Sequence, residues 1–194
     1  MVRTRVGYAG GKTENPTYGN LGDHIETVEL DFDPSRISYE NLLDVFWAGH
    51  DAGVRPWGRQ YMSAIFYRND QQKNAAIGTK EREAARRKGT IHTEILPFTR
   101  FFPAEAYHQK YALRAKPYLM KEYQSMYPSL DDLLASTAVT KVNGYVAGYG
   151  TCEALRAELD GLGLSPEGRR RLENLVCPTA GKGETSAGTA CPVD

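Results

Sequence analysis

Three side chains in the first third of the chain could act together on an oxygen atom: the phenols of Tyr18 and Tyr61 and the carboxyl group of Glu26. A phenol keeps its proton at neutral pH, so it can donate a hydrogen bond to an oxygen that gains negative charge. A carboxyl group in an apolar setting has a raised pKa and can keep a proton to give to that oxygen. These residue types therefore suit a site that holds and protonates an oxygen.

The position of Glu26 in its segment favours this role. Residues 24–32 are typical of a β-strand, and Glu26 shares its parity with Val28 and Leu30. The alternation predicts that Glu26 points towards the apolar side of the strand. A carboxylate there is costly unless it is protonated or hydrogen-bonded, so we expect a protonated or well-bonded group.

Each of the three residues also has an ordinary structural interpretation. Tyr18 follows a turn at Asn15–Pro16 and would close it. Glu26 could be a carboxylate exposed at a frayed strand end. Tyr61 could be a core tyrosine whose hydroxyl group has a partner. The residue types alone do not decide between these interpretations and a catalytic site.

The elements that must position these residues mix strands with helices. Residues 2–8 alternate as a strand with one buried face, and the glycine pair at 10–11 ends it. Helix caps and apolar spacing predict the remaining elements. These are helices over 38–49, 70–88 and 118–127, a helix from Pro103, short helices over 130–135, 151–159 and 165–176, and strands over 61–67 and 91–96.

This order predicts an α/β (α+β) fold, a two-layer sandwich with a mixed sheet. We expect a main domain over 1–127, a helical C-terminal extension over 128–176 and a flexible tail over 177–194. The glycine-rich residues 142–150 are compatible with either a loop or a strand.

Composition excludes several function classes. The 24 basic and 24 acidic residues balance, so no global field favours nucleic acid or an anionic membrane surface. We see neither a membrane-spanning apolar run nor a signal peptide, and we expect a cytoplasmic protein. The histidines are not at metal-ligand spacing, so no metal site is expected. The cysteines, Cys152, Cys177 and Cys191, lie in the last quarter of the chain.

Several short sequences, in the family's order over roughly residues 3–111, resemble peptide methionine sulfoxide reductases of the A type, which act on the S epimer. Many ordered matches are more specific than one short motif. The matches are Val-Gly-Tyr-Ala-Gly-Gly at 6–11, Asn-Pro-Thr-Tyr at 15–18, His-Ile-Glu at 24–26, Ile-Ser-Tyr at 37–39, Phe-Trp at 46–47, His-Asp at 50–51, Gln-Tyr at 60–61, Ser-Ala-Ile at 63–65, Thr-Glu-Ile at 93–95, Ala-Glu at 104–105 and Tyr-His-Gln at 107–109.

The resemblance implies reduction of methionine sulfoxide in oxidised proteins or peptides, as repair of oxidative damage. The family residues that match Tyr18, Glu26 and Tyr61 hold the sulfoxide oxygen and its water. No cofactor is implied, and the expected partner is thioredoxin, which reduces the disulfide that two thiols form during turnover.

Other site residues are expected with less direct support from the motifs. Cys191, with Cys177 as relay or alternative, is the candidate recycling thiol, and both could instead be incidental surface thiols. Cys152 is expected to pack within a helix. Trp57 is expected to line the pocket mouth and Arg59 to bind the peptide.

The sequence also departs from the family. The family's nucleophilic cysteine lies in a Gly-Cys-Phe-Trp motif upstream of the strand that corresponds to residues 2–8, and the chain lacks this motif. Pro56 stands where the family usually has an aspartate of the oxygen site. Without the strand and helix that carry the motif, we expect an unpaired sheet edge and exposed apolar surface.

Three hypotheses follow from this departure. In the first, the functional protein is a reductase with an N-terminal extension that supplies the nucleophile. In the second, the chain is a pseudoenzyme that binds oxidised methionine without turnover. In the third and weakest, Cys152, Cys177 or Cys191 acts as the nucleophile from a different position.

Overall fold

Strand pairing in the first 109 residues gives two sheets. The structure, a computed structural model, describes residues 1–177 and divides the chain into unit 1, Met1–Gln109, and unit 2, which begins at Lys110. The strands are β1 (Arg3–Ala9), β2 (Ile25–Asp31), β3 (Ala64–Tyr67), β4 (Glu94–Pro97) and β5 (Phe101–Pro103). An antiparallel sheet has the order β2-β1-β5, and β3 pairs with β4 in parallel. The α/β class is confirmed, with separate antiparallel and parallel sheets in place of one mixed sheet.

Two helices accompany the strands of unit 1, and both were predicted. They are α1 (Tyr39–Ala48) and α2 (Asp70–Arg87). Each begins at a polar cap: Ser38 accepts a hydrogen bond from the Asn41 amide, and Asn69 accepts one from the Gln72 amide. The apolar faces meet in a core cluster that contains Leu43, Trp47, Ala52, Ile65 and Ala76.

The helix expected to begin at Pro103 is wrong. Pro103 ends β5 opposite Gly7 of β1, and turns follow it. The reason is a long-range contact of Gln109. Its side-chain amide accepts from the Val6 amide at 3.1 Å and donates to the Val6 carbonyl oxygen at 2.8 Å. This pairing, which resembles that of a strand backbone, holds the segment in an irregular path that local propensity does not reveal.

Unit 2 is helical throughout its described part. Its helices are α3 (Tyr111–Arg114), α4 (Pro117–Met126), α5 (Leu130–Ala135), α6 (Thr137–Val146), α7 (Cys152–Glu158) and α8 (Pro166–Val176). The short helices predicted over 130–135, 151–159 and 165–176 are present, and they begin at the polar caps Ser129, Thr151 and Ser165. Residues 142–146, which were compatible with a loop or strand, complete α6, where Val142 and Tyr145 are buried.

The unit boundary lies earlier than the boundary expected from sequence. Residues 110–127 were assigned to the main domain, but Leu113, Leu119 and Tyr123 belong to the core cluster of unit 2. That cluster also contains Leu155 and Leu172 from the helices further along the chain. The apolar spacing identified the helices of residues 110–127 but could not tell which core they join.

A disulfide closes unit 2 between the start of α7 and the end of α8. It joins Cys152 to Cys177, whose Cα atoms lie 5.2 Å apart. Cys152 lies in a helix as expected, and the fold brings Cys177 next to it, a pairing that was not predicted. Sequence spacing does not determine cysteine connectivity. Residues 178–194 of the predicted tail, including Cys191, lie outside the described residues.

Within residues 1–177, no helix combines the length and the apolar character that a bilayer crossing requires.

Two leucines of α8 test how unit 2 is stabilised. Leu172 is fully buried, whereas Leu175 is 49% exposed. We expect Leu172→Ala to lower the free energy of unfolding by about 2–5 kcal/mol, because it removes buried methyl groups and leaves a cavity. Leu175→Ala should change it by about 0.5 kcal/mol or less. Urea unfolding followed by far-ultraviolet circular dichroism measures both, and equal losses would contradict the packing described for α8.

Candidate active site

The antiparallel pairing of β1 and β2 sets the position of the candidate acid. Tyr8 of β1 lies directly opposite Glu26 of β2, so the two side chains leave the sheet on the same face. Gly10 follows β1 with a φ of +80°, a conformation that favours glycine and turns the chain out of the sheet. The chain then passes Tyr18 before it returns as β2.

The environment of Glu26 differs from the expectation. Glu26 shares its parity with Val28 and Leu30 as predicted, but this side of β2 is exposed, with Val28 55% accessible. The predicted apolar setting of the carboxyl group is therefore wrong. Its hydrogen-bond partner is Gln60, whose side-chain nitrogen donates to Glu26 Oε1 at 3.0 Å. The alternation of β2 identified the parity but not which face the neighbouring elements cover.

Tyr61 is carried by a short 3₁₀ turn, Arg59–Tyr61, where a strand had been expected to begin. Its ring stacks on Trp57 with centroids 4.3 Å apart, and Trp57 is itself 72% exposed. Since Gln60 is the preceding residue, its hydrogen bond to Glu26 brings this turn to β2. An aromatic pair thus lies on the same short turn that contacts the candidate acid.

Arg59 attaches the turn to the segment before β2 and to β4. Its Nε atom donates to the backbone oxygen of Asp23 at 3.3 Å, and its guanidinium group lies 3.4 Å from the Glu94 carboxylate. The side chain is 41% exposed. Arg59 therefore has protein partners already and retains exposed surface.

Tyr18 is held by residues that follow β5, the strand on the opposite edge of β1 from β2. Its backbone N–H donates to Glu105 Oε1 at 2.9 Å, and its ring lies 4.8 Å from the ring of His108. The second oxygen of Glu105 accepts from the Tyr8 hydroxyl group at 2.7 Å. Tyr18 is 45% exposed, so its phenol is accessible to a ligand.

The three predicted residues are connected through intermediaries. Within residues 1–177, no hydrogen bond joins Tyr18, Glu26 and Tyr61 directly. Gln60 links the turn of Tyr61 to Glu26, and Glu105 links Tyr18 to Tyr8, the strand partner of Glu26. Gln60 and Glu105 lie within the motifs that resemble the family, but the motifs predicted no role for either residue.

A second carboxylate fixes the turn between β1 and Tyr18. Asp23 accepts from the backbone amides of Lys12 at 2.8 Å and Thr13 at 3.1 Å, and from the Thr13 hydroxyl group at 3.0 Å. These hydrogen bonds, the Lys12 amide first, hold the pKa of Asp23 well below its usual range. The turn is thus tied to the residue that precedes His24 and β2.

His24 completes the same turn from a buried position. Its Nε2 atom lies 2.8 Å from the Thr13 carbonyl oxygen, and its Nδ1 atom accepts from the Gly11 amide at 3.2 Å. A carbonyl oxygen only accepts, so these partners assign the proton of the neutral ring to Nε2. His24 therefore has a structural role in this turn.

A cavity of about 330 Å³ lies beside Glu26 in unit 1. Its lining comes from β2, α1 and β3, including Val28, Leu43, Phe46 and Ile65. Within residues 1–177, β2 pairs with β1 alone and β3 pairs with β4 alone. The second edge of β2 and the second edge of β3 are therefore unpaired. The cavity is thus lined by two strands that each have one unpaired edge.

Comparison with known proteins shows the family of this chain. Residues 1–140 match the family model for peptide methionine sulfoxide reductase. A peptide methionine sulfoxide reductase from Drosophila melanogaster is 43% identical over 185 residues, which cover 94% of this chain and 74% of the relative. The chain belongs to the peptide methionine sulfoxide reductase family.

Further similarities cover both parts of the chain. Residues 130–169 match the helical domain of selenoprotein methionine sulfoxide reductase A, in agreement with a helical C-terminal extension. Peptide methionine sulfoxide reductase A5 from Oryza sativa subsp. japonica is 44% identical over 153 residues. That match spans 76% of this chain but only 59% of the rice protein.

Solved reductase structures share the fold. The crystal structure of Mxr1 from Saccharomyces cerevisiae in reduced form matches with a TM-score of 0.54 at 28% identity, over 59% of this chain and 71% of the yeast chain. Methionine sulfoxide reductase A of Corynebacterium diphtheriae matches with a TM-score of 0.50 at 34% identity, over 60% of this chain and 65% of its own. The α/β fold of this chain is therefore that of the reductase family.

The turn at Asp23 makes the stability of this reductase-family chain depend on pH. A carboxyl group with a lowered folded-state pKa stabilises the fold above its unfolded-state pKa, near 3.9, and loses this effect as pH falls towards the folded-state value. We therefore expect Asp23→Asn to destabilise the chain at pH 7 and to cost progressively less below about pH 4.

Urea unfolding of both proteins at pH 7 and pH 3 measures this difference. Glu81→Gln, on the exposed face of α2, controls for the loss of one negative charge. An equal cost of Asp23→Asn at both pH values would contradict the ionised role of Asp23 in the turn.

Proposed function

We propose that this chain acts in the reduction of the S epimer of methionine sulfoxide in peptides and proteins, with thiols as reductant. Family membership supports the reaction class. The observation that carries the proposed site is the hydrogen bond from Gln60 to Glu26, because it brings the Tyr61 turn to the strand that carries the candidate acid. The S preference and repair of oxidised proteins rest on the family resemblance.

The proposed chemistry assigns a role to each of the three site residues. A thiolate attacks the sulfoxide sulfur, and the oxygen must gain protons as its bond to that sulfur breaks. Tyr18 and Tyr61 donate hydrogen bonds to the oxygen where charge develops, and Glu26 supplies a proton. An oxygen atom, from the sulfoxide or from a water molecule that replaces the one lost, then bonds to the cysteine sulfur as the bond between the two sulfurs breaks. Methionine is released and the cysteine becomes a sulfenic acid.

Two thiols are consumed in each turnover. A second thiol attacks the sulfenic acid, which releases water and leaves a disulfide. A dithiol reductant of the thioredoxin class then exchanges with that disulfide. Overall, one sulfoxide and two thiols give one sulfide, one disulfide and one water molecule.

The cysteines of unit 2 are the candidates for recycling. Cys177 is bonded to Cys152, so it presents a thiol only after that disulfide has been reduced. Cys191, the other candidate, lies outside the described residues.

We propose that Trp57 and Arg59, beside Tyr61, contact the flanking peptide, since both have exposed surface.

A binding module is the second candidate function. Unit 1, which carries Tyr18, Glu26 and Tyr61, contains no cysteine, and the two described cysteines of unit 2 are joined to each other. Such a unit supports recognition of oxidised methionine without supplying a nucleophile itself. The two candidates share the oxygen site and differ in turnover.

Turnover and binding of one probe separate the candidates. The probe is N-acetyl-methionine sulfoxide as separate S and R epimers, with dithiothreitol as reductant. Methionine release is measured by chromatography and binding by NMR titration of the full chain. For a reductase we expect release from the S epimer, and we expect Tyr18→Phe, Glu26→Gln and Tyr61→Phe each to lower kcat/KM by about 10²–10³-fold.

Tyr149→Phe, which removes a phenol that is 75% exposed in unit 2, is the matched control and should leave kcat/KM unchanged. Saturable binding of the S epimer without methionine release would favour the binding module. If neither epimer is bound or reduced, the proposed oxygen site is wrong.

A further inference from the structure

The turn that follows β5 contacts Tyr18 in two ways. Glu105 accepts a hydrogen bond from the Tyr18 backbone, and His108 packs its ring against the Tyr18 ring. Local hydrogen bonds alone do not attach Tyr18 to the sheet, because the backbone bonds between Thr17 and Asn20 close only the turn itself. Glu105 supplies the attachment, since its second oxygen binds the hydroxyl group of Tyr8 in β1.

We propose that Glu105 is a positioning residue for the oxygen site, which holds Tyr18 beside the strand pair that carries Glu26. This inference rests on the proposed function for its chemical purpose. Both carboxylate oxygens of Glu105 are engaged, one by the Tyr18 amide and one by the Tyr8 phenol. Glu105 therefore acts through Tyr18 and not by direct contact with a substrate.

The protonation states fit this role. The hydrogen bond from Tyr8, followed by the Tyr18 amide, lowers the pKa of Glu105, so its carboxylate is charged at neutral pH. Burial, followed by the hydrogen bond to Glu105, raises the pKa of Tyr8, so this phenol keeps the proton that it donates. Hydrogen bonds to an ionised acceptor are stronger than those to a neutral one, so Glu105 is suited to hold the half-exposed Tyr18. The two hydrogen bonds of Glu105, from the Tyr18 amide and the Tyr8 hydroxyl group, are called the clamp below.

The register of the sheet fixes the position of the clamp relative to Glu26. Tyr8 is buried and lies opposite Glu26, so an anchor on its hydroxyl group is fixed relative to the candidate acid. Ala104, which precedes Glu105, donates its amide hydrogen to the Val6 carbonyl oxygen at 3.0 Å. The backbone of the clamp is thereby tied to β1 as well.

A double-mutant cycle tests whether Glu105 acts through Tyr18. Glu105→Gln keeps the size of the side chain but leaves a single acceptor oxygen for two donors. With N-acetyl-methionine (S)-sulfoxide as the probe, we expect Glu105→Gln and Tyr18→Phe each to weaken binding by about tenfold. In the Tyr18→Phe background, Glu105→Gln should cost less than about twofold more, because the two residues act as one unit. Multiplicative losses would overturn the proposal.

A second readout does not depend on the ligand. Tyr18 is replaced by 3-fluorotyrosine, and its ¹⁹F resonance is recorded in the full chain. We expect Glu105→Gln to shift and broaden this resonance, and Tyr8→Phe to do so in the same direction, since each removes part of the clamp. An unchanged resonance in both variants would overturn the positioning role.

The control is Asp33→Asn, which alters a carboxylate that bonds to Ser35 in the loop after β2. It should change neither the resonance nor the affinity. If the unsubstituted chain does not bind the sulfoxide while the resonance responds to Glu105→Gln, the proposed function fails and the positioning role stands. If the chain binds the sulfoxide but the cycle is additive and the resonance is unchanged, the proposed function stands and the positioning role fails.

Discussion

The register between β1 and β2 is the constraint on which the rest of the site depends. It places Tyr8 opposite Glu26 and so fixes a buried phenol and an exposed carboxyl group on one face of the sheet. A slip of β2 by one residue would place Glu26 on the face of the sheet opposite to that of Tyr8. The Gln60 contact with Glu26 and the Glu105 contact with Tyr8 both use this register, and through them the sheet organises two tyrosines that are far apart in sequence.

Carboxylates in unit 1 serve different purposes according to their partners. Asp23 and Glu105 are surrounded by N–H and O–H donors, which keep them ionised and make them fixed points for the turn between β1 and β2. Glu26 accepts a hydrogen bond from the side-chain amide of Gln60, and it is exposed. The site therefore combines ionised carboxylates that fix its backbone with a more accessible carboxyl group at its surface.

Local signals in the sequence predicted the regular elements well and the long-range contacts poorly. The caps at Ser38, Ser129 and Ser165 and the glycine turn after β1 depend on neighbouring residues, which a sequence pattern contains. Motif matches identified the family, and the three site residues that they gave stay a prediction. The Gln109 amide that holds the segment after Pro103 has its partner in Val6, over 100 positions away in the chain, and no periodicity encodes that contact.

Burial was the other quantity that the sequence could not supply. The parity of Glu26 was visible in the alternation of β2, but the covered face depends on which elements pack against it. The same limit applied to residues 110–127, whose apolar positions were clear while the core that they join was not. The pairing of Cys152 with Cys177 likewise required the relative placement of α7 and α8.

The most direct test of the account is a crystal structure of the chain with N-acetyl-methionine (S)-sulfoxide bound. The account predicts a sulfoxide oxygen within about 2.6–3.2 Å of the hydroxyl groups of Tyr18 and Tyr61 or the carboxyl group of Glu26. Glu105 should keep both of its hydrogen bonds in that complex. A sulfoxide held in unit 2, or one whose oxygen touches none of the three site residues, would contradict the account.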